Sequence, residues 1–380
     1  MSAEDFLGDA VERLEWDERK VEDSPLKRVK QVTRRTALTG GVAGVAALAL
    51  QACGSSGSKS TSASASSSGG GSAAAGIFGD STKYKFTLVN HVTTNTFFTP
   101  TQNGAADACK LLGCSYQWTG SQTSNVSQMV SAFNAAIAGG TNGIGIALID
   151  PHAFNKQVSQ AVGKGIPVVS YNADEPNARL AYIGQDLFLA GQEMGQHIVD
   201  LGVKGDVALF IATPGSANIQ PRINGALEVL KKASGITPHV ITSGAAVPGE
   251  LTAVQSYVAG HPNTKGLFAV DGGTTQGIAQ VIHKNNLGAK GVKGGGFDLT
   301  PITETLLQAG FLDFTIDQQP YLQGFLPILE LYMYNASKGL SGIADVNTGL
   351  KFVTKSTIGP YVTTKSRYEG TGTSAGVQKA

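Results

Sequence analysis

The chain has 380 residues, 29 Lys and Arg against 28 Asp and Glu, a net charge of +1 and only 15% charged residues. This balance excludes the basic footprint of a nucleic-acid binder or of a protein held on an anionic surface, and favours a small neutral ligand. With 49 glycines and 41% apolar residues, the composition suits many short strand-to-helix turns around parallel sheets. The six histidines and three cysteines show no zinc-ligand spacing, so no metal or cofactor is expected.

Residues 1–30 mix acids and bases with little periodicity. Thr33-Arg34-Arg35-Thr36-Ala37-Leu38 then leads into an apolar, Gly/Ala-rich run ending at Leu50. That run falls short of the ~20 residues a spanning helix needs, and its basic flank comes first, the order of a cleavable export signal. The arginine pair resembles a twin-arginine signal, with Ala37 where a bulky residue is usual. Leu50-Gln51-Ala52-Cys53 resembles a bacterial lipobox, which makes Cys53 the expected lipidation site, although Gln51 is an unusual occupant. A short buried helix ending in Cys53 is the alternative, but it leaves the next segment unexplained. Residues 54–76 are almost entirely Ser, Gly and Ala, too polar to offset their ordering entropy, so 54–82 reads as a flexible tether. A lipidated Cys53 places the protein outside the cell, anchored to the outer face of the membrane.

From Lys83 strands alternate with amphipathic helices. Tyr84–Asn90 is the first strand. Thr99 is the expected cap of a helix begun by Pro100, whose Ala105, Ala108, Leu111 and Leu112 share a face before Gly113. Strands follow at Cys114–Trp118, Gly143–Ile149 and Ile166–Tyr171, with helices around Val126 to Ile137 and Phe154 to Val162. A second series begins after Tyr182-Ile183-Gly184-Gln185-Asp186, with strands at Asp206–Ala212, Pro238–Thr242, Gly266–Val270 and Val292–Phe297. The predicted fold is α/β, two doubly wound parallel-sheet lobes with a ligand cleft between them. The expected partition is 83–185 with 319–345, 186–318 with 346–366, and a tail at 367–380. The helix at 320–337 and the strand Leu350–Thr354 have no lobe assigned by pattern alone.

Polar and aromatic residues at strand ends mark the candidate site. Ligands of open α/β sheets bind beyond the carboxyl ends of the strands, where Asp298 and Gln318 fall, on either side of a helix begun by Pro301 and capped by Thr300. Asn95, Phe97 and Phe98 follow the first strand. The rings could stack on a sugar's C–H face, with Asn95 pairing a hydroxyl, or they could be core. Arg222, near a helix start, could bridge two hydroxyls with its fork or be solvated. Asp271 is either a ligand contact or the cap of the next helix. Cys109 and Cys114 lie in one helix-to-strand corner and could be bridged in an oxidising compartment. Gly294-Gly295-Gly296 has no Lys-Ser/Thr behind it, so it is no phosphate cradle. A Gly-x-Ser-x-Gly elbow is absent, and Asp271 with Asp298 is the only carboxylate pair offered to a glycosidase.

Asn95-Thr96-Phe97-Phe98, Tyr182-Ile183-Gly184-Gln185-Asp186, Gly296-Phe297-Asp298 and Thr315-Ile316-Asp317-Gln318-Gln319-Pro320 together resemble bacterial periplasmic sugar-binding proteins of the ribose/galactose type. The resemblance runs from about Lys83 to Thr354. It implies a three-crossover hinge, closure on a monosaccharide or polyol, no catalysis, and delivery to an ABC permease and its ATPase by a monomeric receptor. It also implies sugar contacts from Asn95, Phe97, Phe98, Arg222, Asp298 and Gln318, with Asn172 where Asp is frequent and Asp271 where Asn is usual. Ala173 replaces an arginine of ribose binders, and Val247-Pro248 offers no aromatic, so the resemblance does not extend to strict ribose specificity. A chemosensory receptor of the same fold is the alternative, with an extracytoplasmic hydrolase behind it. The first residues encode no helix-turn-helix, which sets the chain apart from repressors sharing this core.

Overall fold

The computed structural model describes residues 82–363. The expected export signal, Cys53, the tether as far as residue 81 and the tail 367–380 lie outside the described residues. Among the described residues no helix is long and apolar enough to cross a membrane.

The first series runs β1 (Lys85–Asn90), α1 (Thr99–Leu112), β2 (Ser115–Gly120), α2 (Val126–Ala138), β3 (Gly143–Ile146), α3 (Asn155–Gly163), β4 (Val168–Tyr171) and β5 (Tyr182–Gly184). The second runs α4 (Leu187–Asp200), β6 (Gly205–Ile211), α5 (Gln220–Leu230), β7 (Ile236–Thr242), α6 (Val247–Gly260), β8 (Gly266–Ala269), α7 (Gly272–Lys284), β9 (Lys293–Phe297), α8 (Pro301–Ala309) and β10 (Phe314–Asp317). The chain then forms α9 (Leu322–Ala336), β11 (Val346–Asn347), β12 (Lys351–Val353) and α10 (Gly359–Thr363).

Two six-stranded sheets result, ordered β11-β5-β4-β3-β1-β2 and β12-β10-β9-β8-β6-β7. Every pairing is parallel except β10 with β12. The chain passes between the sheets three times, after β5, after β10 and between β11 and β12, which is the expected hinge. The third passage lies beyond Val346 and Asn347, because β11 pairs with β5 of the first sheet; the expected boundary at 345 falls short of it. Helix α9 packs on α1, and its Ile328, Leu331 and Tyr332 join the first core, while β12 closes the edge of the second sheet.

Each lobe is held by burial on both faces of its sheet. Phe86, Leu88, Ile144, Val168 and Tyr171 are shielded between the helices of the first lobe. In the second, Val207, Leu209 and Phe268 face one helical layer, while Ala208, Phe210 and Leu267 face the other. Such alternation is what a sheet covered on both sides requires, and each fully buried large side chain contributes about 1.5–3 kcal/mol. The glycine run in β9 serves this core. A Cβ on Gly294 would meet Ile282 at 2.3 Å, and one on Gly295 would meet the Phe314 ring at 2.6 Å.

One local expectation is corrected, and one alternative left open by the sequence is decided. Thr99 does not cap α1: a 3-10 turn at Thr96–Phe98 precedes the helix, and Asn95 caps that turn by accepting from Phe97 N. Cys109 and Cys114 are unbridged thiols that meet at the helix-ending turn, in which Cys114 N donates to Cys109 O at 3.1 Å.

Candidate functional site

The polar side chains of the site are placed by strand ends and helix starts. Asn172 follows β4 and Asp298 follows β9, both with left-handed backbone (φ 63° and 73°), a conformation that Asn and Asp tolerate better than most residues. Asp271 follows β8 and caps α7, accepting from Thr274 N at 2.9 Å. Gln318 follows β10, Arg222 lies in the first turn of α5, and Asn95, Phe97 and Phe98 follow β1. All eight line one cavity between the lobes, in which the space open to the centre of a water-sized sphere is about 100 Å³. That is room for roughly seven to ten water-sized groups, the scale of one monosaccharide.

The aromatic pair serves two roles at once. Phe97 and Phe98 are buried, meet edge to face at 4.7 Å, and still form cavity wall. Asp271 likewise is both helix cap and lining.

Arg222 is buried, with its guanidinium 4.0 Å from the centre of the Phe297 ring. Its Nη1 donates to Val270 O and its Nη2 to Gln185 Oε1, both at 2.9 Å. A chain of amides spans the hinge. Asn172 Nδ2 donates to Gln323 Oε1 (3.2 Å), Gln323 Nε2 to Gln318 Oε1 (3.2 Å), and Gln318 Nε2 to Asp298 Oδ1 (2.7 Å). One end of this chain is in the first lobe and the other in the second.

The lobes also touch across the cleft. Ala217 N donates to Ile149 O at 3.0 Å, and Asn218 Nδ2 lies 3.4 Å from His91 Nε2. The cavity is therefore that of a closed pair of lobes.

Of the nine buried side-chain polar atoms without a hydrogen-bond partner among the described residues, four lie on residues lining this cavity: His91 Nδ1, Asn172 Oδ1, Arg222 Nε and Glu250 Oε2. Leaving such atoms unpaired costs about 1–3 kcal/mol each, so their convergence points to a polar ligand. Burial pushes the Asp298 carboxyl up to about 6 against the opposing pull of Arg222 and Gln318. Burial also raises Asp271, and takes Glu250, beside Asp271, to about 9. His91 is held down at about 4 by burial. Among the described residues no cluster of three or more His, Cys, Asp or Glu could hold a metal ion.

Sequence reading missed His91, Glu250, Gln185 and Gln323. His91 was findable by the rule that identified Asp298, since it is a polar residue at a strand's carboxyl end. Glu250 has the pattern of a solvated helical acid, and Gln323 that of an ordinary helical residue.

Two parallel-sheet lobes tied by three passages, with polar strand ends facing one cavity between them, define a ligand-binding protein that works by lobe closure. Residues 86–338 match the periplasmic binding protein domain, and the chain belongs to that family. It is 48% identical to the xylose/arabinose-binding protein XylF of Sulfolobus acidocaldarius over 306 residues, 76% of this chain and 75% of that one. It is 26% identical to the D-allose-binding periplasmic protein of Escherichia coli over 62% of this chain and 79% of that one. Among solved structures, an ABC transporter solute-binding protein of Burkholderia graminis in complex with D-arabinose superposes with a TM-score of 0.68 at 26% identity, covering 73% of this chain and 97% of that one.

Proposed function

We propose that this protein is the extracytoplasmic receptor of an ABC importer and that it closes on a neutral monosaccharide, a pentose such as xylose or arabinose first among them. The observation that carries this reading is the cavity of monosaccharide size between the touching lobes, walled by the Phe97–Phe98 pair and by four buried polar atoms in want of partners. Rings offer stacking to the C–H faces of a sugar, and Asn95, Asn172, Arg222, Asp271, Asp298 and Gln318 offer donors and acceptors to its hydroxyls. The pentose-binding relatives support the choice of ligand class. Nothing in the reading requires bond cleavage: Asp271 is engaged as a helix cap and Asp298 by Gln318. The partners are an ABC permease and its ATPase, and the receptor acts as a monomer.

A thermal-shift panel of pentoses, hexoses and polyols tests the ligand class. A ligand present at a hundredfold excess over Kd stabilises the closed form by about 2.7 kcal/mol. A panel without a shift for any sugar overturns the reading. Lipid anchoring at Cys53 is part of the same proposal, supported by the Leu50-Gln51-Ala52-Cys53 motif and the Ser/Gly/Ala segment after it. Replacing Cys53 by Ser releases the protein from the membrane fraction; unchanged fractionation removes the anchor.

A further inference from the structure

Glu250 does not behave as the first-turn acid of a surface helix. It lies in the first turn of α6 yet is only 3% exposed, and it lines the cavity. Its Oε2 has no hydrogen-bond donor. Beside it stand the carboxyl of Asp271 and the hydroxyl of Thr274, and two carboxyls can bond to each other only when one carries a proton. The backbone makes room for this arrangement. A Cβ on Gly273 would stand 1.9 Å from Glu250 Oε2, and one on Gly272 would stand 3.0 Å from Asp298 Oδ2. The Gly272-Gly273 pair thus admits a carboxyl on either side of Asp271.

We propose that Glu250 and Asp271 form one hydrogen-bonded acid pair that reads a ligand hydroxyl, which makes Glu250 a specificity-determining residue of the cleft. The inference rests on the sugar-binding reading and extends it. A proton donated by Glu250 to Asp271 leaves the other Glu250 oxygen as an acceptor, and a hydroxyl proton of the ligand satisfies it. A site built around such an acceptor discriminates against a ligand lacking that hydroxyl, since the buried oxygen is then left without a partner. With one proton shared by Glu250 and Asp271, the lining sets the carboxylates of Asp271 and Asp298 against one guanidinium, Arg222. This balance favours neutral sugars and rejects sugar acids and sugar phosphates.

Calorimetric titration of the full chain with D-xylose and its monodeoxy analogues tests the pair. Glu250→Leu is expected to weaken xylose binding roughly tenfold or more while leaving the affinity for one monodeoxy analogue unchanged. Glu250→Gln is expected to stay within about threefold of the unaltered protein, because an amide donates to Asp271 and keeps the acceptor. An equal loss for every ligand in Glu250→Leu, or no loss for any, overturns the proposal. So does an unaltered protein that binds all the monodeoxy analogues as well as xylose, a result that needs no variant to fold. An unaltered protein that binds no sugar at all overturns the sugar reading as well, so the two failures are told apart.

Discussion

At the scale of single residues, Asp298 shows how a side chain is committed to the cleft. Its left-handed backbone turns the carboxyl off the end of β9, where Gln318 Nε2 holds one oxygen. Non-glycine residues in that region cost of order 1–3 kcal/mol and persist where their surroundings require them. Removing a hydrogen bond to a charged group costs about 1.5–3 kcal/mol. Asp298→Ala is therefore expected to weaken sugar binding roughly 10- to 150-fold by calorimetry, and an unchanged Kd would remove Asp298 from the site. Arg222→Ala is expected to lower both affinity and unfolding midpoint, because Val270 O and Gln185 Oε1 lose their donor together.

Polar residues at strand ends were legible before the fold was known, because a parallel sheet leaves its carboxyl ends open. Glu250 was not: whether a helical acid faces water or a cavity depends on Gly273, which is distant from it in sequence and meets it only through the packing of α6 on α7.

At the scale of elements, helix caps were readable where side chain and geometry agree. Thr300 accepts from Thr303 N at the start of α8, as Pro301 in the next position suggested. Thr99 fails as a cap because Asn95 four residues earlier already closes a tighter turn. β5 and β11, with 3 and 2 residues, are too short to display an alternation, and exist because the hinge brings β5 beside β4 and β11 beside β5. The hinge itself depends on Gln323, which sits inside α9 and joins Asn172 to Gln318. Gln323→Leu leaves Asn172 Nδ2 and Gln318 Oε1 without those partners. The expected loss is about 1–3 kcal/mol of stability, read from the urea midpoint, together with weaker sugar binding. A variant as stable as the parent would show that the amide chain contributes nothing to the hinge.

At the scale of the molecule, the buried acids set the pH response. Glu250, Glu304 and Asp298 are raised to about 9, 7 and 6, chiefly by burial, while Asp317 and Glu330 are also raised by burial. A carboxyl whose pKa is higher in the folded than in the unfolded chain contributes stability in full below its unfolded value, and loses it as pH rises through the folded value. His91 acts in the opposite sense: lowered from 6.5 to about 4, it contributes above 6.5 and loses that contribution as pH falls through about 4. With the acids in the majority, the unliganded protein is expected to be most stable near pH 4–5, and its Tm is expected to fall steadily between pH 5 and pH 9. A Tm that rises over this interval would contradict the burial of these groups.

Sequence by itself determined the alternation of strands and helices, the two lobes, and the eight polar and aromatic residues at the mouth of the sheets. The alternation and the strand-end residues follow from periodicity and chain direction, which are local properties; Asn172 was marked only by the family resemblance. Only the tertiary structure decided that β11 stays with the first sheet, that Cys109 and Cys114 touch without being bridged, and that His91 and Glu250 turn inward. Those outcomes depend on groups far apart in the chain: the room left by Gly272 and Gly273, the reach of Asn218 to His91, and the amide chain through Gln323.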